Sequence, residues 1–326
     1  MTLNEAAYER ARPLVDRPGG LGTAAHRRGA ATVIDCGVEA AGSEQAGIVM
    51  AEVALGGLGR VELRPAGHAG AAWDGSWPDQ PWPAVVVHTA APIAACLGSQ
   101  YAGWKIDHAG FFAMASGPVR AAIGREPLYD AIGLRERTTQ AVGVLECGSL
   151  PPAEACERLA VAAGVEPQRL LLLVARTASA AGGLQIVARS VETALHKLHD
   201  LGFELSRVVG GRGAAPLPPI ADRDLTAIGR TNDAILYGGR VVLEVTGDDE
   251  SLRTIGPRCV SAGSASYGEP FLAAFDRAGR DFYAIDPALF APAELEFVNV
   301  DTGLTQRFGG VAPAIVAHSF TSGASR

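Results

Sequence analysis

Two residues of this chain are spaced to do chemistry together. Arg189 and Glu192 stand three apart in the stretch 184–201. A carboxylate beside a guanidinium can take a proton from a bound reactant while the cation orients it. The stretch reads as one helix, with Val187, Val191, Leu195, Leu198 and Leu201 on one side and Gly202 as its stop. Arg189, Glu192, His196 and His199 fall on the other side. Turned to solvent, the pair is an ordinary i,i+3 ion pair worth a few tenths of a kcal/mol. Turned into a cleft, it is a catalytic candidate. The helix alone leaves both open.

Other polar residues sit in glycine-rich junctions, where the backbone turns sharply and ligand clefts form. Asp35-Cys36-Gly37-Val38-Glu39 is one such junction and Ser116-Gly117-Pro118-Val119-Arg120 another. Thr177-Ala178-Ser179 precedes the Arg189/Glu192 helix. The densest is residues 229–239, which carries Thr231, Asn232 and Asp233. Asp35, Thr231, Asn232 and Asp233 are candidates for ligand or water contacts. Glu39, Thr177 and Ser179 are candidate binding residues, and Ser116 and Arg120 candidates for a substrate's tail. Turn capping is the competing reading for each, because Asn, Asp, Ser and Thr stabilise turns by themselves.

Several chemistries have no support. Gly57-Leu58-Gly59 and Gly211-Arg212-Gly213 lack the third glycine of a dinucleotide fingerprint. Neither a phosphate-loop lysine nor a GxSxG elbow occurs. The seven histidines form no HExxH, and no Cys/His spacing suits zinc, so no metal is expected. Cys36 reads as a buried strand-end thiol.

The elements that must position these residues alternate between strand and helix, which gives an α/β class with a mixed sheet near the C-terminus. Expected helices cover 1–16, 91–102, 151–164, 184–201, 222–229 and 270–278. Expected strands cover 32–37, 59–63, 84–88, 140–147, 169–175, 207–211, 282–285 and 294–300. A strand pair is expected at 234–237 and 241–246, and a hairpin turn at 301–303. Residues 17–31, 65–83 and 177–183 read as loops, and 47–55 fits helix or strand.

With 326 residues, 48% hydrophobic and 19% charged, the chain is long enough for two packed lobes, expected at 1–150 and 151–326 unless the lobes are interrupted in sequence. A net charge of -7 and few aromatic residues argue against a nucleic-acid partner. Five scattered cysteines without a CxxC pair fit reduced thiols in the cytoplasm. No signal peptide is evident, and the longest strongly apolar run, 170–175, is too short to span a membrane.

Taken together, the segments resemble the methenyltetrahydromethanopterin cyclohydrolase family. The matching strings are Thr-Val-Ile-Asp-Cys-Gly-Val-Glu-Ala-Ala-Gly (32–42), Ala-Cys-Leu-Gly-Ser-Gln (95–100) and Phe-Ala-Met-Ala-Ser-Gly-Pro-Val-Arg-Ala (112–121). They continue with Ala-Arg-Ser-Val-Glu-Thr (188–193), Gly-Arg-Thr-Asn-Asp-Ala-Ile-Leu-Tyr-Gly-Gly (229–239), Tyr-Gly-Glu-Pro-Phe (267–271) and residues 281–293. The resemblance implies a two-lobed α/β subunit with its active-site cleft between the lobes, assembled as a homotrimer. It implies reversible hydrolysis of a pterin carrier's methenyl bridge to the N5-formyl form, without metal or nucleotide cofactor. It assigns catalysis to Arg189 and Glu192. The Ala/Gly/Arg bias suggests a bacterial member acting in formaldehyde oxidation. Two departures stand out: Tyr101 where the family's archaeal members carry Lys, and Arg176 where they carry Pro. Tyr101 joins the candidate substrate contacts and motivates an alternative, a folate or pterin amidine hydrolase of shifted specificity. A pterin-binding relative without turnover is the non-enzyme alternative.

Overall fold

A computed structural model describes residues 1–67 and 81–322. The chain opens with α1 (Leu3–Val15), β1 (Ala24–Arg28), β2 (Ala31–Asp35), α2 (Glu44–Ala54), β3 (Gly59–Arg64) and β4 (Ala84–Thr89). A π-helix (Ile93–Gln100) leads to β5 (Trp104–His108), β6 (Phe111–Ser116), α3 (Val119–Ile123) and α4 (Pro127–Ala131). Next come β7 (Ala141–Glu146), α5 (Ala153–Ala163), β8 (Leu170–Ala175), α6 (Ala180–Val187) and α7 (Ser190–Asp200). The chain continues through β9 (Val208–Pro216), α8 (Asp224–Leu236), β10 (Arg240–Val245), α9 (Asp249–Ile255) and α10 (Phe271–Arg277). It closes with β11 (Glu294–Asn299), β12 (Thr305–Gly309) and α11 (Pro313–Thr321).

Contacts divide the chain into two compact units, Met1–Val61 with Ile93–Ile186, and Glu62–Pro92 with Val187–Arg326. The expected boundary at 150/151 falls inside the first unit. The reason is that β7 and β8, on either side of it, pair in parallel from Ala141↔Leu170 to Glu146↔Ala175. Both units are therefore interrupted in sequence.

The first unit is built on a six-stranded sheet in the order β1-β2-β8-β7-β6-β5. Its three central strands are parallel and its outer pairings antiparallel. Strand β8 is buried along its whole length, as a central parallel strand covered on both faces must be. Leu170, Leu172 and Val174 pack with Leu159 and Val119 on one face. Leu171 and Leu173 pack with Leu14 and Val53 on the other. Helix α1 lies on that second face because Ala7, Ala11 and Leu14 form its buried stripe there. Its start is fixed reciprocally: Glu5 N donates to Thr2 Oγ1, and Thr2 N to Glu5 Oε2.

The second unit holds the sheet β12-β11-β10-β9-β4-β3. Strands β10 and β11 run parallel, while β4–β9, β9–β10 and β11–β12 are antiparallel. Val241, Leu243, Leu295 and Phe297 are buried in it, and α7 and α8 pack on β9.

Several elements differ from the sequence expectation. The helix expected at 184–201 is two helices, because Arg189 (φ -93, ψ 11) leaves the helical conformation between α6 and α7. The apolar stripe runs on in phase across the turn, so periodicity carries no mark of the break. The expected loop 17–31 contains β1, whose sequence Ala-Ala-His-Arg-Arg is polar because it is an edge strand. The open stretch 47–55 is helix, started by Ser43, whose Oγ accepts from Ala46 N at 3.1 Å. Residues 234–237 are not a strand but the end of α8 and its cap Tyr237, so the helix runs well past the expected 229, and β10 pairs instead with β9 and β11. A short apolar run such as Ala-Ile-Leu-Tyr fits either structure until its partners are known. The strand expected at 282–285 is a single 3₁₀ turn. Most of the 65–83 loop lies outside the described residues.

Candidate functional site

The second unit carries Arg189 and Glu192. Arg189 caps α7 with its backbone and makes no side-chain cap, and Glu192 is the third residue of the helix. Both side chains are buried, at 8% and 7% exposure, which removes the solvent-facing reading of the pair. The positive end of the helix dipole favours a carboxylate in this turn. On the strand beneath, Gly211 and Gly213 lie against Val191 and Ser190 of the same turn. His196 and His199, farther along, are half-buried and His196 pairs with Asp200 at 3.5 Å.

The other candidates of this unit lie on α8. Thr231 Oγ1 donates to its own helix at Ala227 O (2.9 Å), and Asn232 Nδ2 to Ile228 O (2.8 Å). Asp233 is fully buried. Its Oδ1 accepts from Phe271 N at 2.7 Å and its Oδ2 from Ser319 Oγ at 2.5 Å, so it ties α8 to the starts of α10 and the end of α11. Burial pushes its carboxyl up to about 7 against the pull of these two uncharged donors.

In the first unit, the C-terminal ends of the parallel strands β2, β8 and β7 lie side by side, the usual ligand edge of such sheets. Cys36 N donates to Val174 O (2.8 Å), Arg176 N to Gly37 O (3.3 Å) and Cys147 N to Ala175 O (3.1 Å). Asp35 is buried at this edge. Its Oδ1 accepts from Gly37 N and Val38 N, and its Oδ2 from Glu39 N and Ala40 N, at 2.6–2.9 Å. Burial alone would raise its pKa, but the four N–H donors outweigh it and hold the carboxyl below the usual range. Asp35 therefore shapes the loop that presents Glu39, which is exposed. Ser179 Oγ donates to Arg176 O (2.8 Å) and accepts from Gly182 N (3.0 Å), closing the turn into α6. Thr177 Oγ1 donates to Glu146 Oε1. Ser116 is buried at the end of β6, opposite Val144.

Arg120 and Tyr101 form a separate cluster around the π-helix. The Arg120 side chain is fully buried; Nε and Nη2 donate to the Glu126 carboxylate (3.0 and 2.5 Å) and Nη1 to Leu97 O (3.4 Å). Its guanidinium carbon lies 4.9 Å from the Tyr101 ring centre and 5.5 Å from that of Tyr129, whose hydroxyl donates to Gly98 O at 2.9 Å. These bonds fix the carbonyl end of the π-helix, and they occupy the guanidinium that the sequence had offered to a substrate's tail.

A family model described as Cyclohydrolase (MCH) matches residues 2–320. The chain belongs to this cyclohydrolase family. It is 45% identical over 299 residues to the methenyltetrahydromethanopterin cyclohydrolase of Methylobacterium sp. (strain 4-46), covering 90% of this chain and 89% of the relative. Identity to the protein of that name from Methylobacillus flagellatus is 43% over 290 residues (89% and 86%). To that of Methanosarcina barkeri it is 37% over 294 residues (89% and 88%).

For a cyclohydrolase chain, both departures have local causes. Arg176 uses its backbone N–H on Gly37 O, a bond that proline lacks the donor to make. Tyr101 lends its ring to the buried Arg120. Among the described residues, one group offers metal-ligand atoms within 4.8 Å of one another: His26, Asp35 and Glu39. Four backbone N–H groups already fill the Asp35 carboxylate, so the set fits a loop anchor better than a cation site. Glu146, which the sequence did not single out, also stands at this edge of the first unit's sheet. It closes an otherwise apolar strand, and only the parallel pairing of β7 with β8 brings it beside Thr177.

Proposed function

We propose that this chain catalyses reversible hydrolysis of 5,10-methenyl-tetrahydromethanopterin to the 5-formyl form, within one-carbon metabolism of the formaldehyde-oxidising kind. The observation that carries the reading is the buried carboxylate and guanidinium in one helix-opening turn, Glu192 and Arg189. The substrate's bridging carbon belongs to an amidinium cation and is already electrophilic. The enzyme has to set a water against it, remove a proton and let one C–N bond break. Glu192 is the base that takes one proton of the attacking water and delivers it to the departing nitrogen, while the second leaves to solvent with the substrate's positive charge as the C–N bond breaks and the formyl C=O forms; such a base contributes about 10²–10⁴-fold. Its negative charge also favours a cationic substrate. Arg189 orients Glu192 or the developing formyl oxygen.

Loss of methenyl absorbance on the methanopterin carrier is the expected result. Turnover confined to a folate carrier, or binding without turnover, would overturn the assignment. In the same assay E192Q loses about 10²–10⁴-fold in kcat; near-full turnover by that variant removes Glu192 from the mechanism. We read the working form as a cytoplasmic homotrimer that needs neither metal nor nucleotide. Light scattering giving another subunit count refutes the first part. Activity lost to a chelator and restored by a metal refutes the second.

A further inference from the structure

Strand β9 contains Gly210-Gly211-Arg212-Gly213, an unusual run for a strand interior, where glycine weakens the ladder. Gly211 and Gly213 share the face turned toward α7. Neither has a positive φ, so the backbone conformation does not call for glycine at either position. The space does. A β-carbon on Gly213 would overlap Ser190 Oγ and lie 2.9 Å from Val191 Cγ2 and 3.2 Å from Ser190 Cβ. On Gly211 it would lie 2.9 Å from Val191 Cγ1. Ser190 and Val191 are the two residues between Arg189 and Glu192. The Ser190 hydroxyl is fully buried and has no hydrogen-bond partner among the described residues, so what it supplies here is contact with the strand.

We propose that Gly213, with the Ser190 hydroxyl packed on it, seats the first turn of α7 and so sets the position of Glu192 and Arg189 for hydrolysis. The inference rests on the role given above to Glu192. Gly213 and Ser190 are positioning residues: neither touches the reacting atoms, and each acts through the turn it holds. A methyl group on Gly213 lifts the turn by about the depth of the overlap, on the order of 1 Å, and displacement on that scale costs a catalytic group about 10²-fold. Trimming Ser190 to alanine removes the deepest part of the overlap and leaves the shallower contact with Val191 Cγ2 at 2.9 Å, so the turn settles most of the way back.

The test is kcat and KM for methenyl hydrolysis in G213A, S190A and G213A/S190A, with E192Q alongside. G213A is expected to lose about 100-fold in kcat with a KM change of less than about threefold. S190A is expected to lose less than about tenfold, and the double variant to regain at least about tenfold over G213A, a coupling that two independent sites do not show. Wild-type kcat in G213A, or a double variant no better than G213A, overturns the proposal. If G213A does not fold, a double variant that folds and turns over supports the seat. A double variant that also fails assigns the contact to the fold and overturns it. If E192Q keeps its turnover, the reading of the site itself falls. If E192Q is inactive and G213A normal, only the seat falls.

Discussion

Asp233 offers a stability prediction with its magnitude set by the structure. The carboxyl is fully buried and receives only two uncharged donors, so burial pushes its pKa from the ordinary 3.8 up to about 7. The folded pKa is the higher one, so the fold binds the proton more tightly than the unfolded chain does. The stabilisation is fully present below the unfolded value, shrinks as pH rises and is gone above about 7. The whole span, about three pH units, corresponds to about 4 kcal/mol, and the part lost between pH 5 and pH 8 to about 2–3 kcal/mol. D233N is the perturbation. Its amide oxygen still accepts from Phe271 N, and its NH2 can donate to Ser319 Oγ, so shape and contacts survive while the titration is deleted. Urea unfolding of both proteins at pH 5 and pH 8 is the assay. The wild type should lose about 2–3 kcal/mol relative to D233N on going to pH 8. A difference between the two proteins that is the same at both pH values refutes the argument, because it means that the buried carboxyl does not titrate in this window.

Three further outcomes follow from bonds already described. D35N should lose about 1–3 kcal/mol at neutral pH, because an amide nitrogen faces backbone N–H groups that need an acceptor; since the Asp35 pKa is depressed, the wild type's advantage should fade as pH drops below the ordinary carboxylate range, which unfolding curves at pH 7 and pH 3.5 will read. E126Q should destabilise by about 1–3 kcal/mol, less than for a fully buried pair because Glu126 is partly exposed, and a melting temperature equal to wild type counts against Arg120 as an anchor of the π-helix. S43A should cost about 1 kcal/mol by uncapping α2, measured by chemical unfolding, with the slope of the transition unchanged.

Local chemistry is written into the chain and was legible there. The stripe Leu3, Ala7, Leu14 requires a helix, Gly164 (φ 69) ends α5 where a glycine should, and the run of buried residues 170–175 is a central strand. These follow from propensity and periodicity, which act over a few residues. The Arg189/Glu192 pair was legible as a spacing, and the resemblance implies a catalytic role for it. What the spacing could not contain is whether the two side chains face water, because burial depends on β9, some twenty residues farther on. The same limit applies to the other polar candidates. Asp35, Ser179, Thr231, Asn232 and Asp233 are polar residues in tight or glycine-rich segments, and sequence offers them equally to a ligand or to the backbone. In the fold each holds a backbone or side-chain partner. Arg120 met Glu126 six residues on, but its aromatic partners and Leu97 O arrive only through the π-helix.

By itself, then, the sequence determined the strongly periodic elements and the spacing of the candidate groups, since both are properties of neighbouring residues. Only the tertiary structure decided the break at Arg189, the division of the chain at 186/187, the approach of α7 to two glycines and the pairing of Glu146 with Thr177. Each depends on contacts between residues distant in the chain, and no local pattern encodes which of its compatible partners a residue will meet.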